Sequence, residues 1–404
     1  MELPLLLDGA MGTNLMNLGM KPDECRETWI LSHRPQVSEL ISRYIECGSG
    51  AVYAPTYGAN RLLLAKYGLD EQVERINSDV MELTKKAVNG RALIGGNMSS
   101  AGMAAEPYGD ISFDELTDVY REQADVLCRA GADFIVAESM VSLPEARAAL
   151  LGARETGLPV FITIGLEDDG EMMSGAGIMN CLITLQSLGA AAFGVNCSSS
   201  PVKLVELLEP VMRYARIPVI AKPNARHTVK NGTVSVDMTP SEFAAEMEKV
   251  LELGVQIVGG CCGTTPEHIA AVAELLAGRK FENNVKTEDV WAVSNETEVF
   301  FLPEDTLTLS DPIECTSDLE EDLIDIEDEG FNVIVVAVKS YYDAFELSRA
   351  SHVSRLPVAI WAYDCDVLDA ALRLYHGRAI VAADSDIPED MLRKTAKKYG
   401  AVVV

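Results

Sequence analysis

The chain of 404 residues has the composition of an ordinary globular protein, with 48% hydrophobic and 24% charged residues. This length predicts two domains, or one large barrel with an addition. The formal net charge of −29 argues against nucleic acid and membrane surfaces as partners, because both carry negative charge themselves. The apolar run at the N-terminus has no basic segment and stops at Asp8, so it predicts neither a signal peptide nor a spanning helix. The cytoplasm is the expected location.

Short apolar runs alternate with longer helical patterns along the first part of the chain. Runs that are apolar on both faces, separated by helices, are typical of a parallel sheet covered by helices. Eight such units favour a closed (β/α)8 TIM barrel over an open doubly wound sheet. The predicted strands are residues 4–7, 51–55, 92–95, 133–137, 159–164, 191–195, 218–221 and 255–258.

Polar residues, glycines and cysteines follow most of these runs. The carboxyl ends of barrel strands form one face, where active sites are built, so residues far apart in sequence are expected to meet there. The positions concerned are Asp8, Gly9, Thr56, Asn97, Glu138, Cys197, Lys222, Cys261 and Cys262.

Cys261 and Cys262 are adjacent at the end of the eighth run and are flanked by glycines on both sides. Side chains alternate along a strand, so neighbouring cysteines would normally point to opposite faces. The glycines permit a sharp turn that brings both sulfurs to one point. A catalytic zinc site has three protein ligands and one open position, and Cys197 is the best candidate for the third ligand.

Two other interpretations of the nine cysteines stay open at this point. Free cysteine is often a small buried hydrophobic residue. A neighbouring pair can also form a strained redox disulfide, although cytosolic chains rarely keep disulfides. The isolated cysteines, which we expect to be core residues, are Cys25, Cys47, Cys128, Cys181, Cys315 and Cys365.

Four segments at the predicted strand ends resemble the signature segments of the homocysteine S-methyltransferase family. This family includes betaine-dependent enzymes, S-methylmethionine-dependent enzymes and the first module of cobalamin-dependent methionine synthase. The similarity extends from the N-terminus to about residue 278. The segments are Asp8-Gly9-Ala10-Met11-Gly12-Thr13, Gly194-Val195-Asn196-Cys197, Lys222-Pro223-Asn224-Ala225 and Gly259-Gly260-Cys261-Cys262-Gly263-Thr264.

The resemblance implies a zinc site that binds L-homocysteine through its sulfur and forms methionine by methyl transfer. It also implies that Asp8 and Glu138 hold the ammonium group of the amino acid. From the residues alone, such carboxylates could equally cap loops or helices. The implied zinc ligands are Cys197, Cys261 and Cys262, and the implied substrate-binding residues are Asp8, Gly9, Glu138, Thr56 and Asn196.

The expected ligand set suits thiol chemistry. A free thiol has a pKa of about 8.5, and only its thiolate is a good nucleophile. Three cysteine thiolates leave Zn²⁺ with a formal charge of −1, so a fourth thiolate keeps the electron density needed to attack a methyl group. A site with three histidines would instead suit the activation of water.

Two segments depart from the family pattern and bear on the substrates. Ala54-Pro55-Thr56-Tyr57 stands where relatives usually have Thr-Asn-Thr-Phe, and the turn at residues 95–100 is also altered. These positions are expected to shape the pocket, so the identity of the methyl donor and of the acceptor thiol stays open at this point. The alternatives are betaine, S-methylmethionine or another small donor, or another thiol acceptor. From a different class, the chain could be a non-catalytic zinc-containing scaffold or binding subunit.

The C-terminal part predicts a second, smaller domain. Domain boundaries are expected at 1–280 for the barrel, 281–300 for a polar linker and 301–404 for a small α/β domain. An acidic helical pattern at 318–329 is expected to be a solvent-exposed face. The predicted strands are residues 306–309, 333–338, 357–362, 379–383 and 401–404.

Residues 311–404 resemble the first half of the pterin-binding barrel that follows the homocysteine module in cobalamin-dependent methionine synthase. A half barrel has unpaired edges, so it predicts docking to a partner or a homodimer rather than folate binding. The chain has no Asp-x-His-x-x-Gly segment of the kind that ligates cobalamin. We therefore expect methylcobalamin to be supplied by a corrinoid protein in trans.

Overall fold

The computed structural model describes residues 2–106, 108–167, 169–198, 200–230, 233–277, 279, 290–303 and 306–404. Contacts divide the chain into two compact units. The first comprises Met1–Met173 and Ala190–Thr287, and the second comprises Ser174–Gly189 and Glu288–Val404. Within the described ranges, no helix has both the length and the apolar character needed to cross a bilayer.

Eight parallel strands form the sheet of the first unit, and all eight strands predicted from the sequence are present. Their order in the sheet is β1-β10-β7-β6-β5-β4-β3-β2. The gap between the first and last strands is bridged by the Gly50 N–H, which donates to the Leu6 carbonyl at 2.8 Å. The strands are β1 (Leu5–Leu6), β2 (Ala51–Tyr53), β3 (Leu93–Ser99), β4 (Phe134–Met140), β5 (Val160–Ile164), β6 (Ala192–Asn196), β7 (Val219–Lys222) and β10 (Ile257–Val258).

Helices connect these strands, as the alternation predicts for a (β/α)8 barrel. Many begin at sequence-encoded caps, for example Thr239, which forms a reciprocal capping box with Glu242 next to a proline at the first turn. The helices of this unit are α1 (Gly12–Asn17), α2 (Arg26–Ser32), α3 (Arg34–Glu46), α4 (Arg61–Ala65), α5 (Val73–Val88), α6 (Phe113–Arg129), α7 (Leu143–Arg154), α9 (Pro201–Tyr214), α10 (Pro240–Glu252) and α11 (Pro266–Leu276). An antiparallel hairpin that the periodicity did not predict follows β7. It is formed by β8 (His227–Lys230) and β9 (Thr233–Val236).

The interior of the barrel is filled by side chains from every strand. Aromatic rings dominate one side, where Phe134 and Phe161 pack with ring centroids 4.6 Å apart. This apolar core occupies the barrel below the carboxyl ends of the strands, so polar groups are confined to the mouth. The buried core residues are Leu5, Leu7, Ala51, Tyr53, Phe134, Val136, Phe161, Ala192, Ile220 and Ile257.

The second unit contains a five-stranded parallel sheet of order β13-β14-β15-β16-β17. Four of its strands coincide with predicted runs. The first prediction, residues 306–309, was wrong, since only an isolated bridge joins Leu309 to Val333 and the strand itself lies at 313–314. Pro312, which has no N–H to donate, separates the two pairings. The strands are β13 (Ile313–Glu314), β14 (Ile334–Val338), β15 (Val358–Ala362), β16 (Ile380–Val381) and β17 (Val402–Val403).

Helices of the second unit include one that precedes the sixth barrel strand in the chain, α8 (Ile178–Leu188). It contacts an antiparallel hairpin formed by β11 (Ala292–Ser294) and β12 (Val299–Phe301), which lies partly in the stretch predicted as a linker. The Thr184 and Ser294 hydroxyls are 2.9 Å apart, and Asn180 Nδ2 donates to the Asn295 carbonyl at 3.2 Å. The other helices are α12 (Leu319–Asp325), α13 (Tyr341–Ala350), α14 (Cys365–Leu374) and α15 (Glu389–Lys398).

The acidic pattern at 318–329 forms α12 followed by a short 3-10 turn at Ile326–Glu329. Leu319 and Leu323 are buried, whereas Glu320 is half-buried and Glu321 and Asp322 are exposed. The prediction of a solvent-exposed acidic face is confirmed.

Candidate metal and substrate site

The three cysteines singled out in the sequence meet at the carboxyl ends of β6 and β10. Their sulfur atoms all lie within 4.8 Å of one another, and Cys197 Sγ is 3.4 Å from Cys262 Sγ. None of the nine cysteines, all of which lie in the described ranges, forms a disulfide, so the disulfide interpretation gains no support. The other six cysteines lie outside this cluster.

Close backbone packing produces the turn that brings Cys261 and Cys262 together. A Cβ atom on Gly260 would lie 2.4 Å from Thr264 Oγ1, so no larger residue fits there. The Cys261 N–H donates to the Pro223 carbonyl at 2.8 Å, and Thr264 Oγ1 donates to the Cys261 carbonyl at 2.7 Å. These contacts fix both cysteines on one side of the turn, as the flanking glycines predict.

Cys197 adopts a left-handed backbone conformation, with a φ of 60°. Few residues other than glycine adopt this conformation, so the surrounding contacts must hold it. The Cys197 N–H donates to the Lys222 carbonyl at 3.2 Å, and Asn224 Nδ2 donates to the Cys197 carbonyl at 2.9 Å. The contacts with Lys222 of β7 and with Asn224 therefore orient Cys197, so that its thiol lies beside Cys261 and Cys262.

The thiols by themselves are poor acids. The hydrogen bond with Cys261 lowers the pKa of Cys197, but the contact with Cys262 and burial outweigh it and raise the pKa to about 12. The pKa of Cys262 is likewise about 12, because its contact with Cys261 and burial outweigh the hydrogen bond with Cys197. A cation that displaces these protons would reverse the effect, since metal ions bind the thiolate form. Three thiolates within 4.8 Å could hold a soft metal ion, and three ligands would leave one position of a tetrahedral site open.

A buried charge cluster lies at the same mouth, built from Asp8 after β1, Glu138 in β4 and Lys222 in β7. Lys222 Nζ is 3.3 Å from Asp8 Oδ1 and 3.2 Å from Glu138 Oε1. The Tyr53 ring covers the ammonium, with its centroid 3.8 Å from Nζ. Two carboxylates and one ammonium leave one negative charge unbalanced when all three are ionised.

Burial and mutual charge shift the pKa values of this cluster. Burial raises the pKa of Asp8 to about 6, even though Lys222 and the Tyr53 N–H stabilise its carboxylate. Burial lowers the pKa of Lys222, but Glu138 and Asp8 together raise it well above its usual value. Lys222 is therefore a fixed cation, whereas burial opposes the charge of the Asp8 carboxylate.

Two neutral residues complete the cluster. Asn97 Nδ2 donates to Glu138 Oε2 at 2.8 Å, and the Tyr53 N–H donates to Asp8 Oδ2 at 3.0 Å. Asn97 Oδ1 and the Tyr53 hydroxyl are buried without a hydrogen-bond partner among the described residues. Buried polar atoms are normally satisfied, so a bound ligand or a water molecule is expected to pair with these two atoms.

A cavity of about 140 Å³ joins the thiol cluster to the charge cluster. Both departures from the family pattern contribute to its wall, as expected. Gly9 also lines it, and a Cβ there would lie 2.8 Å from Thr264 Oγ1. The lining residues are Asp8, Gly9, Ala10, Met11, Gly12, Arg26, Tyr53, Ala54, Pro55, Tyr57, Asn97, Glu138, Ser139, Cys197, Lys222, Gly260, Cys261 and Cys262.

Two of the expected substrate-binding residues lie behind the cavity wall. Thr56 is fully buried, and its hydroxyl donates to the Asn97 carbonyl at 2.7 Å. Asn196 Nδ2 donates to Ser139 Oγ at 2.6 Å and lies 3.7 Å from Cys261 Sγ. In this structure, Thr56 positions Asn97, and Asn196 positions Ser139 and Cys261.

Sequence analysis placed Asn97 at the barrel mouth but gave it no binding role, and it did not single out Tyr53, Ser139 or Arg26. Asn97 was visible as a polar residue after a predicted strand, whereas Arg26 lies at the start of a helix and gave no such signal. His268 lies in α11, with Nε2 2.9 Å from the Met238 carbonyl.

The barrel and its mouth define the class of protein, a (β/α)8 barrel with a cluster of thiols and a cluster of buried charges at the carboxyl ends of its strands. The family model described as "Homocysteine S-methyltransferase" matches residues 5–276, more than half of the chain. The chain therefore belongs to the homocysteine S-methyltransferase family.

Two curated relatives are named methionine synthase. The protein from Mycobacterium tuberculosis (strain ATCC 25618 / H37Rv) is 32% identical over 68% of this chain and 24% of its own length. The protein from Mycobacterium leprae (strain TN) is 28% identical over 98% of this chain and 37% of its own length. The aligned part of the chain thus spans only 24% to 37% of the length of these relatives.

The barrel is also similar to solved structures of the homocysteine methyltransferase MmuM from Escherichia coli. The metallated form aligns with a TM-score of 0.57 and 22% identity, over 67% of this chain and 96% of that chain. The oxidized form aligns with a TM-score of 0.56 and 23% identity. At this level of identity, the similarity shows the shared fold.

Proposed function

We propose that this protein transfers a methyl group to the thiol of L-homocysteine, with a zinc ion held by Cys197, Cys261 and Cys262. The observation that carries the proposal is the single cavity that three convergent thiols share with Asp8 and Glu138. An amino acid with a thiol at one end and an ammonium at the other matches both clusters. The product is methionine.

The chain's own residues would bind and orient the substrate. The surplus negative charge of the Asp8, Glu138 and Lys222 cluster attracts the ammonium, and Asn97 Oδ1 is a free acceptor beside it. The ammonium held there places the thiol toward the open position between the cysteines. Zinc bound to the three thiolates would favour the thiolate form of the substrate at neutral pH. In the transfer, a carbon–sulfur bond forms as the bond between methyl and donor breaks.

The proposed methyl donor is a methylcorrinoid protein acting in trans. Two observations support it. The Mycobacterium leprae relative, which aligns over 98% of this chain and so spans both units, is named methionine synthase. The cavity also lacks the aromatic cage that suits a quaternary ammonium such as betaine. Trp29 does not line the cavity but stacks on His33 at 3.8 Å, and the ring of Tyr53 already covers Lys222. S-methylmethionine, another small donor and another thiol acceptor are the alternatives.

The second unit is proposed to dock a partner or a second copy of the chain. Its parallel sheet has β13 and β17 at its two edges, and sheet edges are natural pairing surfaces. A cytoplasmic location belongs to the same proposal. A scaffold role without turnover is the alternative from another class, and the assay below separates the two.

Zinc content and methionine formation should be measured together, with methylcobalamin, betaine and S-methylmethionine tried separately. We expect about one zinc per chain and turnover with methylcobalamin. Zinc without turnover on any donor, including a methylcorrinoid protein, would favour the scaffold role. Absence of zinc from reduced protein would refute the metal site.

Cys262→Ser should abolish zinc binding and reduce turnover by more than about a hundredfold, because it removes one of three ligands. The matched control is Cys365→Ser in α14, outside the cluster, which should keep both properties. Full activity of Cys262→Ser would contradict the proposed role of the cluster.

A further inference from the structure

The guanidinium of Arg26 lines the same cavity as the two clusters, and nothing described so far gives it a role. Arg26 is the first residue of α2, and its side chain is partly exposed. Its neighbour Glu27 points elsewhere, since Glu27 Oε1 accepts from the Gly58 N–H at 2.7 Å. Among the described residues, no carboxylate lies within ion-pair distance of Arg26. An unpaired arginine is notable in a chain with 62 acidic residues.

Tyr57 fixes the position of this arginine. The Arg26 guanidinium carbon lies 5.0 Å from the centroid of the Tyr57 ring, a cation–π contact. The other end of Tyr57 is directed into the site, where its hydroxyl interacts with Ser139 and lies near Glu138 and Cys197. One aromatic side chain thus holds Arg26 at the wall of the cavity that contains the thiol and carboxylate clusters.

The charged residues that line the cavity form one cluster, Asp8, Glu138 and Lys222, with Arg26 outside it. Asp8 and Glu138, with Lys222 between them, carry an excess of one negative charge, which an ammonium would balance. Arg26 and Lys222 are the cationic lining residues, and both carboxylates already engage Lys222. A zwitterionic amino acid also carries a carboxylate, and Arg26 is the cation left to receive it.

We infer that Arg26 binds the α-carboxylate of the thiol amino acid, and that it makes the site selective for amino acids over simple aminothiols. This inference rests on the function proposed above. A guanidinium presents planar, paired donors that match a carboxylate. The three functional groups of homocysteine would then each have a partner: the metal site for sulfur, the carboxylate pair for the ammonium and Arg26 for the carboxylate.

The test compares homocysteine with 3-aminopropane-1-thiol, which has the same thiol and amine but no carboxylate. Binding of each to the zinc-loaded full chain is measured by calorimetry, for wild type, Arg26→Gln and Arg26→Lys. Charge-assisted hydrogen bonds correspond to about a tenfold to a hundredfold change in affinity. We expect Arg26→Gln to lower the affinity for homocysteine by that factor. The affinity for 3-aminopropane-1-thiol should stay within about twofold of the wild-type value. Arg26→Lys should restore part of the loss, since it keeps the charge without the planar donors.

Arg34→Gln is the matched control, because Arg34 lies at the start of the next helix and does not line the cavity. Zinc content and circular dichroism of each variant show whether the fold and the metal site are intact. Equal losses for both ligands, or no loss for homocysteine, would overturn the inference. A wild-type protein that binds zinc but not homocysteine would refute the proposed function itself, a different and distinguishable result.

Discussion

Lys222 lies between two carboxylates, 3.3 Å from Asp8 and 3.2 Å from Glu138, in a region closed to solvent. Removing a charge from water is costly, so a buried ion cluster is weak evidence for stability. The cost of burying these charges has a functional explanation under the proposed function, because the unbalanced negative charge of the cluster would bind the ammonium group of the substrate. The raised pKa of Asp8 shows how strongly burial opposes that charge.

The pKa of Asp8 predicts a pH dependence of stability. In the folded protein it is raised to about 6 from the ordinary value of 3.8, so the folded state holds a proton that the unfolded state has lost between these values. Stability should therefore fall as pH rises from about 4 to about 6, by roughly 2–3 kcal/mol. Asp8→Asn should lack this contribution.

Denaturant unfolding of both proteins across this pH range, without added metal, measures the effect. The stability of wild type relative to Asp8→Asn should decrease up to about pH 6 and then stay level. If the difference in unfolding free energy between wild type and Asp8→Asn did not change over this pH range, or increased in favour of wild type, Asp8 would not be the titrating group.

At the scale of elements, the loop after β10 depends on glycines that permit close approach rather than flexibility. Gly260 lies where its Cβ would be 2.4 Å from Thr264 Oγ1 and 2.7 Å from Thr264 Cγ2. Thr264 in turn donates to the Cys261 carbonyl and accepts from the Ala10 N–H at 3.0 Å. Because Gly260 lets Thr264 pack this closely, Thr264 can contact both Ala10, which follows β1, and Cys261.

Gly260→Ala should displace Thr264 and disturb the cysteine turn, with a loss of about 1–3 kcal/mol in unfolding free energy and weaker zinc binding. Gly177→Ala is the control, since a Cβ at Gly177 meets no atom within 4 Å and its φ of −76° suits alanine. Unfolding curves and metal titration measure both effects. Equal behaviour of the two variants would contradict this account of the turn.

On the scale of the whole molecule, the boundary between the two units does not follow chain order. The helix α8 lies between β5 and β6 in sequence, yet it belongs to the second unit, where Asn180 donates to the Asn295 and Glu298 carbonyls. The second unit therefore begins inside the sequence of the barrel. A cut at the predicted linker would separate α8 from its partners.

A chain that stops after residue 279 should consequently be less stable than the full chain. Asn180 and Thr184 are both buried, and the cut removes the carbonyls and the Ser294 hydroxyl that pair with them. Each buried polar group left unpaired costs about 1–3 kcal/mol. The denaturant midpoint and the solubility of the two chains measure the difference. An identical midpoint would mean that α8 is stable without residues 290–404.

Much of the architecture could be predicted because the signals are local. The alternation of apolar runs and helices predicted all eight barrel strands, and the glycines around Cys261 and Cys262 predicted a turn. The strand ends marked Asp8, Glu138 and Cys197, since the barrel fold itself brings those ends together.

The remaining features depend on contacts between residues far apart in the chain. Tertiary structure alone places Thr56 and Asn196 behind the cavity wall, directs Arg26 from the start of a helix into the cavity and assigns α8 to the second unit. No local periodicity encodes these results, because each depends on which distant backbone or side chain fills the adjacent space. The chain's sequence determined which chemical groups stand at the strand ends and so reach the barrel mouth, whereas the three-dimensional packing decided which of them line the cavity and which other residues join them.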